Sequence, residues 1–349
     1  MGFERGFERV PAPEIQSFVR HHGIAGLLDA SRVEALGDTW TTALMQEKRA
    51  IAFRALQLGG TLKVVATALT ERDLQPVALK GPALAIQAHG SLGSRGGVDL
   101  DILIPERHWP IALEVLSQQG YLPAPGQCLP LPKGTHELVL LHQNQPRIEL
   151  HQRLLRHQHL LPDTSGLSQV VDIQGTPVAS LAPIPALPYL VAHANQHCFR
   201  RLIWLIDIYA LLQCTNLDPE QVAREFQRTG TCAMLDTCLT LLEKLFGLSV
   251  AEPLQRIRRP CRASRAMVTL ALAAIRDSLS DDQVAKRIGP LKRAALDIAL
   301  QDDWRARVHA LSGWLSPTGK DSQWIELPRG LSFLYPLVRL FRLLRRSVG

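Results

Sequence analysis

Apolar positions near the start of the chain recur every three or four residues. Leu44, Ile51, Ala55, Leu58 and Leu62 fall on one stripe, which predicts helix across residues 14–72, a stretch with little chemistry. From residue 75 the period changes. QPVALKGPALAIQAHG reads as a short strand, a Gly-Pro break and a short helix, with Pro82 in the first helical turn, where its missing N–H costs nothing. RGGVDLDILIP reads as a second strand, and ERHWPIALEVLSQQG as a helix stopped by Gly120. HELVLLH and RIELHQRLL read as further strands, the second of them running on as strand or into a helix. Alternating strand and helix over about a hundred residues predicts an α/β core. Helical periodicity then returns over residues 185–313. Its longest run is PALPYLVAHANQHCFRRLIWLIDIYALLQ, with a break expected near Cys198, and Pro253, Pro260 and Pro290 punctuate the rest. Residues 314–330 read as loop, and LSFLYPLVRLFRLLRR closes the chain as a basic amphipathic segment.

The expected fold is therefore α+β: a small α/β core with a mixed sheet, flanked by helical regions. The expected boundaries are 1–72 for the N-terminal helical region, 73–180 for the core and 181–349 for the C-terminal helical domain. Composition agrees with a globular chain, since 46% of the 349 residues are hydrophobic and 20% are charged. A formal net charge of +7 favours acidic partners such as nucleotides, nucleic acid or an anionic membrane face, or serves solubility alone. Six cysteines (Cys128, Cys198, Cys214, Cys232, Cys238 and Cys261) form no CxxC pair, and the chain does not open on a secretory signal. Free thiols in a reducing cytoplasm are the expectation. No stretch reaches the roughly 18 to 20 apolar residues of a membrane span.

The segment VDLDILI, residues 98–104, carries the main chemical signal. On a strand, Asp99 and Asp101 project to one side, while Val98, Leu100 and Ile102 face the other. Adjacent carboxylates repel each other and lose hydration on burial, so they remain ionised only where a cation offsets both costs. A hard divalent ion such as Mg²⁺ does so while keeping positions open for phosphate oxygens. Glu149, in an alternating strand of the same sheet, is the candidate third acid of a two-metal site for phosphoryl or nucleotidyl transfer. A strand end facing solvent is the plain alternative. Upstream, LKGPAL adds a tight turn: Gly81 lets the backbone approach a phosphate, the helix start offers free N–H groups, and Lys80 and Arg95 are nearby cations able to pair with a triphosphate.

Three segments together, LKGPALAIQAHGSLGSRGGVDLDILI, IELHQRL and HANQHCFRRLIWLIDIYALL, resemble the uncharacterised nucleotidyltransferase family of the polymerase-beta-type superfamily. Its members show a Lys-Gly turn, an arginine before a DxD strand, a Glu-Leu-His strand, and a helix with spaced histidines before an aspartate. The likeness is strongest over residues 75–215. It implies that Asp99 and Asp101 hold two Mg²⁺ ions, with Mn²⁺ as the alternative metal, and that Glu149 completes the site for one of them. An acceptor hydroxyl or phosphate would then attack the α-phosphorus of a nucleoside triphosphate, such as ATP, and release pyrophosphate. It further implies a biosynthetic acceptor: a small molecule, a sugar, or a peptide or polysaccharide precursor. The superfamily's usual Gly-Ser turn is replaced by Lys80-Gly81-Pro82. Gly90-Ser91 and Gly93-Ser94 lie too close to Asp99 to leave room for the intervening helix. Two other functions compete with this one. A toxin-like nucleotidyltransferase acting on tRNA draws support from the basic run RIRRPCRASR, residues 256–265. A non-catalytic nucleotide-binding module draws support from the altered turn.

The remaining candidates are less distinctive. His151 shares the face of Glu149 and is either a phosphate or acceptor contact or a hydrogen-bonded structural histidine. His193 and His197 stand at i, i+4, a spacing that also suits zinc, but no HExxH pattern accompanies them. With Arg200, Arg201 and Asp207 they are candidates to line a nucleotide cleft. Asp207, inside the apolar run WLIDIYALL, needs a partner, for which Arg200 and Arg201 are the candidates. Arg339, Arg342, Arg345 and Arg346 punctuate the closing segment. It either lies on an anionic membrane surface or docks on the helical domain with its arginines outside, the second being the expected arrangement.

Overall fold

The computed structural model describes residues 11–348, apart from 35–36, 128, 130, 132–135, 155–165, 215–216, 317–320 and 322–323. Cys128 and the continuation of RIELHQRLL past residue 154 therefore lie outside the described residues. The chain opens with helices α1 (Ala12–His22) and α2 (Asp38–Thr70). The core follows as β1 (Val77–Ala78), α3 (Pro82–His89), β2 (Asp99–Leu103), α4 (Trp109–Gln118), β3 (Leu122–Pro123), β4 (Glu137–Leu141), β5 (Arg147–His151), β6 (Ser168–Ile173) and β7 (Thr176–Leu181). Helices α5 (Pro183–Gln196), α6 (Leu202–Cys214), α7 (Pro219–Thr229), α8 (Cys232–Phe246), α9 (Arg262–Arg276), α10 (Asp281–Ile288), α11 (Pro290–Ala299), α12 (Trp304–Leu315) and α13 (Tyr335–Val348) complete it.

Among the described residues, seven strands form one sheet in the order β3-β4-β5-β2-β1-β7-β6. The pairs β2–β5 and β1–β7 are parallel and the others antiparallel, so the sheet is mixed and the fold is α+β, as the sequence predicts. The β6–β7 hairpin was not anticipated. Its signal is the Gln174-Gly175 pair between two alternating runs. Both residues have positive φ (53° and 80°), as a two-residue hairpin turn with right-handed strand twist requires.

Strand alternation sorts the side chains into two layers. Leu100, Ile102, Leu138, Leu140, Ile148 and Leu150 pack with Leu58, Leu62, Val65 and Leu69 of α2 and with Ala112, Val115 and Leu116 of α4. Each fully buried aliphatic side chain contributes about 2 kcal/mol of apolar burial. On the opposite side, Leu79, Leu103, Leu154 and Leu181 join the larger core built by the C-terminal helices. Val98 departs from the expected pattern: it precedes the strand and is exposed.

The long apolar run after residue 183 does break near Cys198. Cys198 and Phe199 take left-handed backbone (φ 53° and 49°), which costs about 1 kcal/mol or more for each non-glycine residue. Both side chains are fully buried, and the Phe199 N–H donates to the Ala194 carbonyl at 2.7 Å. Burial thus holds a strained turn that presents Arg200 and Arg201 on its far side.

Helix α1 is pinned to the C-terminal helices by His22. The buried ring donates from Nε2 to the Ile275 carbonyl at 3.0 Å and accepts at Nδ1 from the Leu202 N–H at 3.2 Å. That is a neutral imidazole with both nitrogens used, and a second proton would confront the Leu202 N–H. Burial is the main cause that lowers its pKa from 6.5 to about 4. Below pH 6.5 the unfolded chain gains a proton that the folded chain refuses, so the His22 contribution is complete above that pH and is lost as pH falls toward 4. The loss should reach about 2 kcal/mol, less than the full shift allows because the ring keeps polar neighbours. Urea midpoints measured from pH 7 to 4 should fall less steeply for His22→Gln than for wild type. Equal slopes would remove His22 as the cause.

The closing helix inverts the expected arrangement. Arg339 and Arg342 point inward to Asp321, which is fully buried, while Leu337, Leu340, Phe341 and Leu344 face outward. An ion pair formed inside the fold outweighed the local amphipathic pattern.

Candidate active site

Gly81 makes the turn between β1 and α3 with φ 69° and ψ −131°, a backbone state that an L side chain rarely adopts. Pro82 follows at the first helical position. The Leu79 N–H donates to the Asp101 carbonyl at 3.0 Å, so the turn lies alongside β2. Lys80 is thereby placed with Nζ 3.1 Å from Asp101 Oδ1.

The parallel register of β2 and β5 sets Asp99 beside Arg147 and Asp101 beside Glu149. Glu137 of β4 stands opposite His151 of β5. The three sequence-predicted acids thus line one cleft, and their cations are built in. Arg147 Nη2 lies 2.6 Å from Asp99 Oδ2 and 3.0 Å from Glu149 Oε1. His151 Nε2 lies 3.2 Å from Asp101 Oδ1.

Electrostatics separate the carboxylates. Burial penalises the Asp101 charge, but Lys80 and the His151 hydrogen bond outweigh it and hold the carboxyl well below its usual range. Glu149 is pushed up to about 7, first by burial and then by the charges of Asp101 and Asp99. Burial pulls on the Lys80 ammonium, yet Asp101, Asp99 and Glu149 prevail, and its pKa is raised. The remaining oxygen of Asp101, Oδ2, is buried without a hydrogen-bond partner. One donor atom each from Asp101, Glu149 and His151 lies within 4.8 Å of the others, and His136, Glu137 and His151 form a second such group. Carboxylate oxygens around an orphaned buried acceptor are a donor set that suits a hard divalent ion.

The cleft has a volume of about 640 Å³, a size typical of small-molecule sites. Its floor is acidic: Asp99, Asp101, Glu137 and Glu149. Its helical wall carries His193, His197, Arg200, Arg201, Trp204, Arg293 and Trp314. Arg200 is held by Asp281 through two bonds, at 2.8 and 2.6 Å, and Asp281 also meets His197 Nδ1 at 3.2 Å. Arg201 and Arg293 have neutral acceptors instead: the His21 carbonyl for Arg201, and Cys198 Sγ and the Gln196 carbonyl for Arg293. Burial, then Arg200 and Arg95, lower the Arg201 pKa to about 10, which still leaves it charged at neutral pH. His193 is held neutral by burial and by Lys80.

Arg95 lines the cleft and Asp207 is buried outside its lining, with partners other than those the sequence suggested. Asp207 is not paired with Arg200 or Arg201. Its Oδ2 accepts from Arg95 Nε at 2.7 Å and its Oδ1 meets His89 Nε2 at 2.8 Å, with all three side chains buried. Helix α6 thereby grips both α3 and the segment entering β2. Lys80 likewise faces an acid rather than standing free.

Sequence reasoning missed His136, Glu137, Arg147, Asp281, Arg293 and Trp314. Arg147 was accessible in principle, because it alternates with Glu149, whereas Glu137 is brought in by the pairing of β4 with β5 opposite His151. Asp281, Arg293 and Trp314 come from helices far along the chain and carry no local signal. The basic run at 256–265 is partly neutralised: Arg256 pairs with Glu220 and Glu252, and Arg258 with Asp236 and Glu243.

The protein is thus of α+β class, with an acidic cleft floor on a mixed sheet. The sequence matches the family of uncharacterised nucleotidyltransferases over residues 9–247, more than half of its length, and the chain belongs to that family. Among solved structures it is similar to the antibiotic-resistance factor ANT(2'')-Ia, at 17% identity and a TM-score of 0.35, over 47% of this chain and 87% of that one. It is also similar to an antigenic nucleotidyltransferase-like protein from Paracoccidioides brasiliensis, at 18% identity and a TM-score of 0.38, over 60% of this chain and 96% of that one. No curated protein matches the chain.

Proposed function

We propose that the protein is a Mg²⁺-dependent nucleotidyltransferase that moves a nucleoside monophosphate from a nucleoside triphosphate to a hydroxyl or phosphate of a small-molecule, sugar or peptide acceptor. The observation that carries this reading is the polarity of the cleft, an acidic strand floor facing an arginine-bearing helical wall. A triphosphate needs both. Asp99, Asp101 and Glu149 are the residues that would hold the metal, with Mn²⁺ as a substitute. When bound, the ion supplies charge neutralisation and activation of the acceptor oxygen.

The chain's own groups account for the rest. Arg201 and Arg293, whose partners in the fold are neutral, attract phosphate oxygens. Gly81 and the start of α3 offer backbone close to the floor. His193, kept neutral, lines the nucleotide side with His197. Arg95 and Asp207 fix the wall rather than touch phosphate, Lys80 keeps Asp101 ionised before substrate arrives, and Arg147 bridges Asp99 and Glu149. The core at 73–180 supplies the floor in this reading and the region at 181–349 supplies the wall.

The test uses each ribonucleoside triphosphate labelled on the α-phosphate, with the full chain and a cell extract as the source of acceptor. Label should transfer to one acceptor with Mg²⁺ and stop when EDTA is added. The absence of both transfer and Mg²⁺-dependent binding for all four triphosphates would overturn the proposal.

A further inference from the structure

Helix α13 packs on α11 and α12, and Asp321 fixes its rotation. Arg339 Nη1 lies 3.3 Å from Asp321 Oδ2 and Arg342 Nε lies 2.7 Å from Asp321 Oδ1, while Arg339 Nε also donates to the Trp314 carbonyl. With those arginines turned in, the residues left outside are apolar at i, i+3, i+4 and i+7: Leu337 (61% exposed), Leu340, Phe341 (63%) and Leu344. Phe333, in the turn before the helix, is 71% exposed. The neighbouring α12 repeats the pattern with Trp304, Val308 and Leu311, all exposed. Eight large apolar side chains on adjacent elements exceed the scattered exposure of an ordinary surface.

Charge indicates what covers them. Neither α12 nor α13 contains an aspartate or glutamate, and together they carry six arginines. Arg305, Arg307 and Arg345 are exposed, and the Arg305 guanidinium lies 5.5 Å from the Trp304 ring centre. A second copy of this chain is a poor occupant, because a two-fold contact would set arginine against arginine. An apolar stripe bordered by arginines and an exposed tryptophan fits the boundary between lipid headgroups and acyl chains. No helix among the described residues is long and apolar enough to cross a membrane.

We propose that α12 and α13 attach the protein peripherally to an anionic lipid bilayer. Phe333, Leu337, Phe341 and Trp304 enter the acyl boundary, and Arg305, Arg307 and Arg345 meet the headgroup phosphates. Trp314 of α12 lines the cleft, but none of the eight exposed apolar residues does, and the proposal does not depend on the nucleotidyl-transfer reading.

The test is co-sedimentation of the full chain with vesicles of phosphatidylcholine alone and of phosphatidylcholine with phosphatidylglycerol, at low and high salt. Wild type should partition to the anionic vesicles at low salt and less so at high salt. Leu337→Ser/Phe341→Ser should lower that partition about tenfold while keeping the wild-type circular dichroism and melting midpoint. Arg305→Gln/Arg345→Gln, which alters only exposed positions, should weaken it as well and serves as a second arm if the serine pair misfolds. Failure to bind anionic vesicles, equal binding to neutral ones, or binding unchanged in both variants would overturn the proposal. So would self-association in sedimentation velocity that the serine pair abolishes while vesicles are ignored, since that assigns the face to a second copy.

Discussion

Asp101→Asn is expected to lower nucleotidyl transfer about a thousandfold, equivalent to about 4 kcal/mol of transition-state stabilisation. The side chain is buried in the middle of β2, its Oδ2 has no hydrogen-bond partner, and its carboxyl is held ionised by Lys80 and His151. An amide keeps the shape and removes the charge that would bind a divalent ion. Its oxygen can stay toward Lys80 and His151, which both meet Oδ1, and the N–H₂ group then replaces the unpartnered Oδ2, where a donor repels a cation. The comparison is of initial rates with α-labelled triphosphate across a Mg²⁺ titration. Asp101→Asn should need far more Mg²⁺ and should not recover the wild-type plateau. A variant within tenfold of wild type at saturating Mg²⁺ would remove Asp101 from the catalytic centre. A circular dichroism spectrum and melting midpoint close to wild type would separate a catalytic loss from unfolding.

Asp207→Leu is expected to cost about 3 kcal/mol of stability. The substitution leaves the Arg95 guanidinium buried with its nearest carboxylate gone and strips His89 of its partner. The cost lies in the orphaned charge rather than in the lost attraction, so the double variant Arg95→Met/Asp207→Leu should be clearly less destabilised than the single one. Urea unfolding of both variants checks this. A single variant no worse than the double would dismiss the buried pair as a source of stability. Activity follows a second line, since Arg95 belongs to the segment that delivers Asp99 and Asp101. The double variant should therefore keep its fold better than its turnover.

Some of this was legible from local pattern and some was not. The period-three-and-four stripe marked α2, and Gly-Pro chemistry marked the turn into α3. The alternation in VDLDILI put Asp99 and Asp101 on one side. These depend on neighbours within a few residues, which a sequence carries directly. Glu149 was reachable because a strand of the same sheet can hold only a few places relative to β2, and the parallel pairing sets it beside Asp101. The hairpin at 168–181 was legible but unread: its Gln-Gly turn lacks the asparagine or aspartate that usually draws notice.

Partners of charges were a different matter. Lys80 and Arg95 looked like free cations for phosphate, yet each meets an acid, Asp101 from the adjoining strand and Asp207 from a helix over a hundred residues later. The pairing of Arg200 with Asp281 and the approach of Arg293 and Trp314 to the cleft are equally long-range. The rotation of α13 shows the reason most plainly. A sequence fixes which residues share a face of a helix, because that follows from 3.6 residues per turn. It does not fix which face turns inward when both offer a favourable contact. Buried Asp321 drew Arg339 and Arg342 inside and left Leu337, Leu340, Phe341 and Leu344 to the surface. By itself the sequence determined the α+β class, the acidic strand and its glycine turn, since each rests on backbone periodicity and local sterics. Only the tertiary structure decided which cations the acids hold, which arginines remain for a ligand, and which side of the last helix meets the outside, since those choices are settled by burial and charge pairing between distant segments.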